Sequence, residues 1–216
     1  MIAFLHGWGG GLESFIGSAK MLKDSYRCLL FSFLEEVPNE PFHLDDYANY
    51  VKEVVSKYNF SELIIVGHSF GGRIALRVAT TSVVDKLVLV DSAGLKPKRT
   101  IKYYLRVIDY KMKKLLGWST KGCGAKDFIS LCPIMKKTFS NIVNEFQDDE
   151  LKFIRCKSLI FWGENDMETP LYMARRLAQN ISNNVLFVAK GCGHYSYLES
   201  PSEFIQQLTK FIEERG

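Results

Sequence analysis

Long hydrophobic runs, paired cysteines and a metal-ligand cluster are all missing from this chain, and each absence removes a class of protein. No apolar stretch approaches the roughly 20 residues that a membrane-spanning helix requires. The five cysteines, Cys28, Cys123, Cys132, Cys156 and Cys192, are an odd number without a C-x-x-C pair, which argues against a disulfide framework and against a zinc cluster. Reduced thiols in a cytosol fit that usage. The opening Met1 to His6 is apolar but has no basic leader and gives way to glycine, so it does not read as a secretory signal. The expectation is a cytoplasmic protein with no metal and no organic cofactor. Internal repeats and low-complexity tracts are missing too.

What is present suits a packed domain. The 216 residues are 47% hydrophobic and 24% charged, enough to bury a core and too apolar for disorder. The net charge of +4 hides a segregation, because Leu95 to Gln147 holds twelve Lys or Arg against three acidic residues. A solvated basic helix face accounts for this; attraction to an anionic substrate, or docking on an anionic membrane surface, is the sharper alternative. The basic residues are confined to one segment and no nucleic-acid module accompanies them, so no nucleic-acid partner is expected. Oligomeric state is not legible.

Short apolar runs recur with helical segments between them: Ile2 to Leu5, Arg27 to Phe33, Leu63 to Val66, Lys86 to Val90, Ser158 to Trp162 and Val185 to Val188. Their near-continuous hydrophobicity is that of strands covered on both faces, so the predicted fold is α/β, a mostly parallel sheet of about six strands with helices on both sides. Helices are predicted over Asp45 to Tyr58, Gly72 to Thr80, and Pro201 to Ile212 with Ser200 as N-cap. The alternation breaks once. Residues 95–149 form an insertion in which Ile101, Tyr104, Leu105, Ile108, Met112, Leu115 and Leu116 recur at helical spacing, and Pro133 with Gly117, Gly122 and Gly124 divides it into helical pieces. We expect a small helical lid over a core formed by 1–94 and 150–216.

In an open parallel sheet, ligands bind at the carboxyl ends of the strands. The polar residues of this chain collect there: His6-Gly7-Trp8-Gly9-Gly10 after the first strand, Gly67-His68-Ser69-Phe70-Gly71 after the third, Gly163-Glu164-Asn165-Asp166 after the fifth and Gly191-Cys192-Gly193-His194 after the sixth. Alone, G-x-S-x-G is a weak signal, arising by chance in roughly one chain in ten of this length. Four such loops in order are another matter. In its strand, serine elbow, insertion, Trp-Gly-x-x-Asp and Gly-x-Gly-His, the chain resembles the α/β-hydrolase family over essentially its whole length. Members usually carry two further strands ahead of the His-Gly loop, and the glycine-rich segment that usually follows the second strand is replaced here by Phe33 to Pro41.

The resemblance implies a serine hydrolase of carboxylesterase type acting on a small-molecule acyl substrate. Ser69 would be the nucleophile, His194 its base and Asp166 the acid orienting the base. The backbone N–H groups of Trp8 and Phe70 would form the oxyanion hole, and Trp8, Phe70, Tyr104 and Ile108 would line the pocket. Plainer readings stand beside these: Ser69 as a turn serine, Asp166 as a helix-starting aspartate, with Asp91 as rival acid, and His194 as a packed loop histidine. His6, His68 and Cys192 read as structural, Glu164 and Glu199 as solvated or supporting. Two other functions fit the same residues. One is a carbon-carbon bond hydrolase or lyase acting on a small anionic metabolite, using Lys98, Arg99 or Arg106; the other is a catalytically silent binding homologue.

Overall fold

The structure, a computed structural model, describes residues 1–33, 38–98 and 131–214. Its elements run β1 (Ile2–Leu5), α1 (Glu13–Leu22), β2 (Cys28–Leu30), α2 (Leu44–Ser56), β3 (Ile64–His68), α3 (Phe70–Thr81), β4 (Lys86–Val90), α4 (Pro133–Asn144), β5 (Lys157–Gly163), α5 (Tyr172–Asn180), β6 (Asn184–Ala189), α6 (Ser196–Glu199) and α7 (Pro201–Glu213). A 3₁₀ turn, Leu151–Phe153, precedes β5. The six strands form one sheet in the order β2-β1-β3-β4-β5-β6, and every pairing is parallel.

Alternation along the strands explains why both faces are covered. Ala3, Leu5, Ile65, Leu87, Leu89, Ile160 and Trp162 pack with α2, α3 and α5 in one core. The intervening Ile2, Phe4, Ile64, Val66, Val88, Val90, Leu159 and Phe161 pack with α1 and α7 in the other. A strand whose odd and even residues are both apolar is stable only between two helical layers. The central strands β1, β3 and β4 are fully or almost fully buried, whereas β2 and β6 are only partly so, as edge strands should be.

The expected sheet of six parallel strands is therefore found, with shifted boundaries. The second strand is regular only over Cys28–Leu30, although Phe31 still donates to the Phe4 carbonyl at 3.0 Å. The third gains Gly67 and His68, so the elbow begins inside the sheet. Ser200 does precede α7, but its hydroxyl lies 3.1 Å from the Glu203 carboxylate and caps no backbone N–H. Of the 95–149 insertion, the described part contains α4. This helix is docked by three sets of bonds: Thr138 Oγ1 accepts from Phe42 N–H at 3.0 Å, Asn141 Nδ2 donates to Phe42 O, and Arg73 of α3 reaches the carbonyls of Ile142 and Glu145. The helix expected from Ile101 to Leu116, including Tyr104, Arg106 and Ile108, and also Arg99, lies outside the described residues.

Candidate active site

The strand order reverses between β1 and β3, since β2 lies on one side of β1 and all later strands on the other. A crevice opens where loops leave such a switch point in opposite directions. The loops that meet there are the Gly-Trp-Gly-Gly turn after β1 and the elbow after β3.

Ser69 adopts φ 50°, ψ −111°, a strained combination for a residue with a side chain. Backbone bonds hold it: its N–H donates to Val90 O at 3.1 Å and its carbonyl accepts from Arg73 and Ala93. The neighbouring glycines are steric necessities, since a Cβ on Gly71 would collide with the Leu5 carbonyl and one on Gly67 with Gly71 itself. That crowding lets β1, β3 and α3 converge below the serine and push its hydroxyl outward.

Ser69 Oγ lies 3.0 Å from His194 Nε2, and His194 Nδ1 lies 2.9 Å from Asp166 Oδ2. With the buried carboxylate accepting from Nδ1–H, Nε2 is left to accept the serine proton. Asp166 has a double task. Its Oδ1 accepts from the N–H groups of Glu168 and Thr169, the helix-starting pattern, while Oδ2 takes His194 and, at 2.6 Å, the Thr169 hydroxyl. Burial works against the Asp166 charge, yet these donors outweigh it and hold the carboxyl below its ordinary pKa. Burial likewise opposes protonation of His194, but the bond to Asp166 and its charge, then that of Glu168, lift the imidazole above its ordinary value. Glu168 Oε2 stands 3.3 Å from His194 Nε2, so each ring nitrogen has a carboxylate beside it.

The remaining polar residues brace this line. His68, buried and neutral with its pKa pushed down to about 3 by burial, places Nε2 2.8 Å from the His194 carbonyl. His6 accepts from Phe33 N–H. Glu199 accepts from the N–H groups flanking His194, those of Gly193 and Tyr195, and Glu164 accepts from Gly191 N–H. Asp91, the rival acid, is fully buried and faces elsewhere: it accepts from Gly163 N–H at 2.7 Å, Ser196 N–H at 3.0 Å and the Ser196 hydroxyl. It thereby ties the loop bearing Asp166 to the helix following His194. Asp91→Ala would strand two buried N–H donors and a hydroxyl at about 1–3 kcal/mol each. Urea melts are expected to show a loss of about 3 kcal/mol or more; a loss below about 1 kcal/mol would contradict the tying role.

Trp8 and Phe70 stand together at the mouth, their rings 5.2 Å apart, and Phe139 of α4 closes on Trp8 at 5.0 Å. Among the described residues neither the Trp8 nor the Phe70 N–H is engaged by a backbone carbonyl; Phe70 opens α3, where the first N–H groups have no partner inside the helix. A cavity of about 560 Å³ is lined by Trp8, Ser69, Phe70, Arg73, Phe139 and His194, among others. A second lobe of about 360 Å³ continues past Arg73 and Glu168 between Leu95, Pro97, Phe146 and Met173. Of the predicted pocket residues, Trp8 and Phe70 line the first lobe, while Tyr104 and Ile108 lie outside the described residues. Arg73, Phe139, Glu168 and Thr169 were not legible as site residues. Only Glu168 and Thr169 carried a signal, their nearness to Asp166. Among the described residues no group of His, Cys, Asp and Glu is arranged to hold a metal ion, and no helix is long and apolar enough to cross a membrane.

A serine, a histidine and an aspartate aligned at the carboxyl edge of a parallel sheet form an α/β-hydrolase arrangement. The family model described as "Alpha/beta hydrolase family" matches residues 2–207, so the chain belongs to that family. It is similar to the uncharacterized hydrolase YugF of Bacillus subtilis, 23% identical over 97% of this chain and 88% of that protein. It is also similar to a 2-hydroxy-6-oxononadienedioate/2-hydroxy-6-oxononatrienedioate hydrolase of Pseudomonas putida, 24% identical over 98% of this chain and 87% of the relative. Among solved structures it resembles an alpha/beta hydrolase enzyme from the metagenome of lagoon sediments at Mar Chica, Morocco, with a TM-score of 0.73, 27% identity, and coverage of 99% and 90% of the two chains.

Proposed function

We propose that this protein is a cytoplasmic serine hydrolase that cleaves a carboxylic ester or thioester through an acyl-enzyme on Ser69. The observation that carries the reading is the unbroken line from Ser69 Oγ through His194 to buried Asp166, opening on a cleft large enough for a small acyl substrate. In the first half-reaction the Ser69 proton passes to His194 Nε2 as Oγ attacks the acyl carbon, and the carbonyl electrons move onto oxygen. Trp8 and Phe70 N–H would receive that oxyanion, a donor of this kind being worth about 3 kcal/mol. The start of α3 adds a favourable field. Collapse expels the alcohol or thiol, which takes the proton from Nε2. Water then repeats the sequence on the acyl-enzyme and restores Ser69. Asp166 stabilises the imidazolium formed in both halves.

Assays with short acyl nitrophenyl esters test the reading: pure protein should turn them over, and Ser69→Ala should not. Equal turnover by the two proteins would end it. The pH dependence has a defined sign. His194 must be neutral to act as base, so activity rises with pH through its raised pKa. Glu168 contributes to that elevation. Glu168→Gln is therefore expected to move the acid limb of kcat/KM to lower pH, gaining relative activity on the acidic side; a limb that stays put would show the carboxylate to be without influence.

A second reading is favoured by the relatives. Hydrolysis of a carbon-carbon bond in a small anionic metabolite fits the likeness to hydrolases named for 2-hydroxy-6-oxo acids. An assay on a vinylogous oxo-acid, followed by loss of its absorbance, separates the two: a carbon-carbon hydrolase would favour that substrate over esters.

A further inference from the structure

We infer that Arg73 is an anion-binding residue of the cleft, and that the natural substrate carries a carboxylate-type anion seated against it. The inference rests on the reading of Ser69 as the nucleophile and specifies what that site accepts. Arg73 is 6% exposed, and arginine is almost never so buried without a paired anion. Yet it makes no ion pair among the described residues. Its partners among the described residues are two carbonyls, Ile142 O and Glu145 O, both at 2.6 Å and both bonded by Nη1. These carbonyls end α4, whose dipole offers about half a unit of negative charge, and the Glu145 carboxylate, beyond ion-pair distance, adds to it without outweighing burial, so the guanidinium is only partly compensated. Arg73 lines both lobes of the cleft, and neither Nε nor Nη2 takes part in those two bonds.

The placement suits a substrate. Arg73 N–H donates to Ser69 O at 3.2 Å, so Arg73 stands four residues beyond the serine that precedes α3, about 6 Å along the axis, and helical side chains lean back toward the N-terminus. An anion a few bonds from the attacked carbonyl would reach the waist between the lobes while that carbonyl stays at Ser69. Arginine's planar fork suits a carboxylate, which two N–H groups can grip side by side. The carboxylate of Glu168 shares the waist but does not fill this role, because its side chain is 68% exposed and directed to His194.

The test compares anionic with neutral esters in the wild type, Arg73→Met and Arg73→Lys. 4-Nitrophenyl hemiglutarate, with its charge on the acyl side, is set against 4-nitrophenyl butyrate; 4-acetoxybenzoate, with its charge on the leaving side, is set against phenyl acetate. At least one anionic ester should exceed its neutral partner about tenfold in kcat/KM, a preference of about 1.4 kcal/mol, and that ratio should collapse toward one in Arg73→Met and survive in part in Arg73→Lys. Because Arg73 also holds α4, Arg73→Met risks misfolding, so glutarate inhibition of the wild type is measured too: it should compete with the neutral ester and weaken as salt rises. Equal anionic and neutral rates in the wild type, a preference undiminished in Arg73→Met, or no inhibition by glutarate would each overturn the inference. Turnover that survives Ser69→Ala would instead overturn the hydrolase reading.

Discussion

Ser69→Ala is expected to cut ester turnover by about a millionfold in kcat, the scale seen when the serine of a serine-histidine-aspartate triad is removed, while leaving the melting temperature nearly unchanged. The asymmetry follows from what the side chain does. Among the described residues the Ser69 hydroxyl meets one partner, His194 Nε2, and the strained backbone is held by bonds from its own N–H and carbonyl that alanine keeps. Alanine at φ 50° is no worse placed than serine, so folding loses little and chemistry loses its nucleophile. Residual activity would come from the oxyanion donors and binding alone. Steady-state kinetics on a nitrophenyl ester, with calorimetry beside it, checks both halves.

The next largest effect is expected of Asp166→Asn, at about ten-thousandfold in kcat. Asparagine fits the space but presents an N–H₂ where Oδ2 now accepts from His194 Nδ1 and the Thr169 hydroxyl. The imidazole is then pushed toward the tautomer with its proton on Nε2, which cannot take one from Ser69, and the imidazolium loses its counter-charge. Asp91→Asn acts differently, because Asp91 meets Gly163 and Ser196 and not the base. It should lower stability more than kcat. If Asp91→Asn abolished turnover and Asp166→Asn spared it, the acid would have been misassigned.

Much of this was legible in the sequence, for reasons that differ by residue. The strands were readable because both faces of the sheet are buried, which forces runs such as Leu87–Val90 to be apolar throughout. Ser69, Asp166 and His194 stood out because each follows a strand, and parallel strands bring their carboxyl ends to one edge. Helix α1 was not read: it buries only Phe15, Ser18, Ala19 and Leu22, a stripe too mixed to show. Arg73 gave no signal, since its burial depends on α4, contributed by residues some seventy positions away. Asp166 illustrates why two readings of one residue need not compete. Its two oxygens face opposite ways, one starting a turn and the other holding the histidine.

Covalent labelling by a fluorophosphonate probe tests the central claim most directly, because it asks only whether Ser69 is an activated nucleophile and needs no knowledge of the substrate. Mass analysis of the reacted protein should find one adduct per chain, on the peptide containing Ser69. The adduct should be missing from Ser69→Ala and form far more slowly in His194→Ala. A wild-type protein that stays unmodified, or that is labelled elsewhere, would contradict the account.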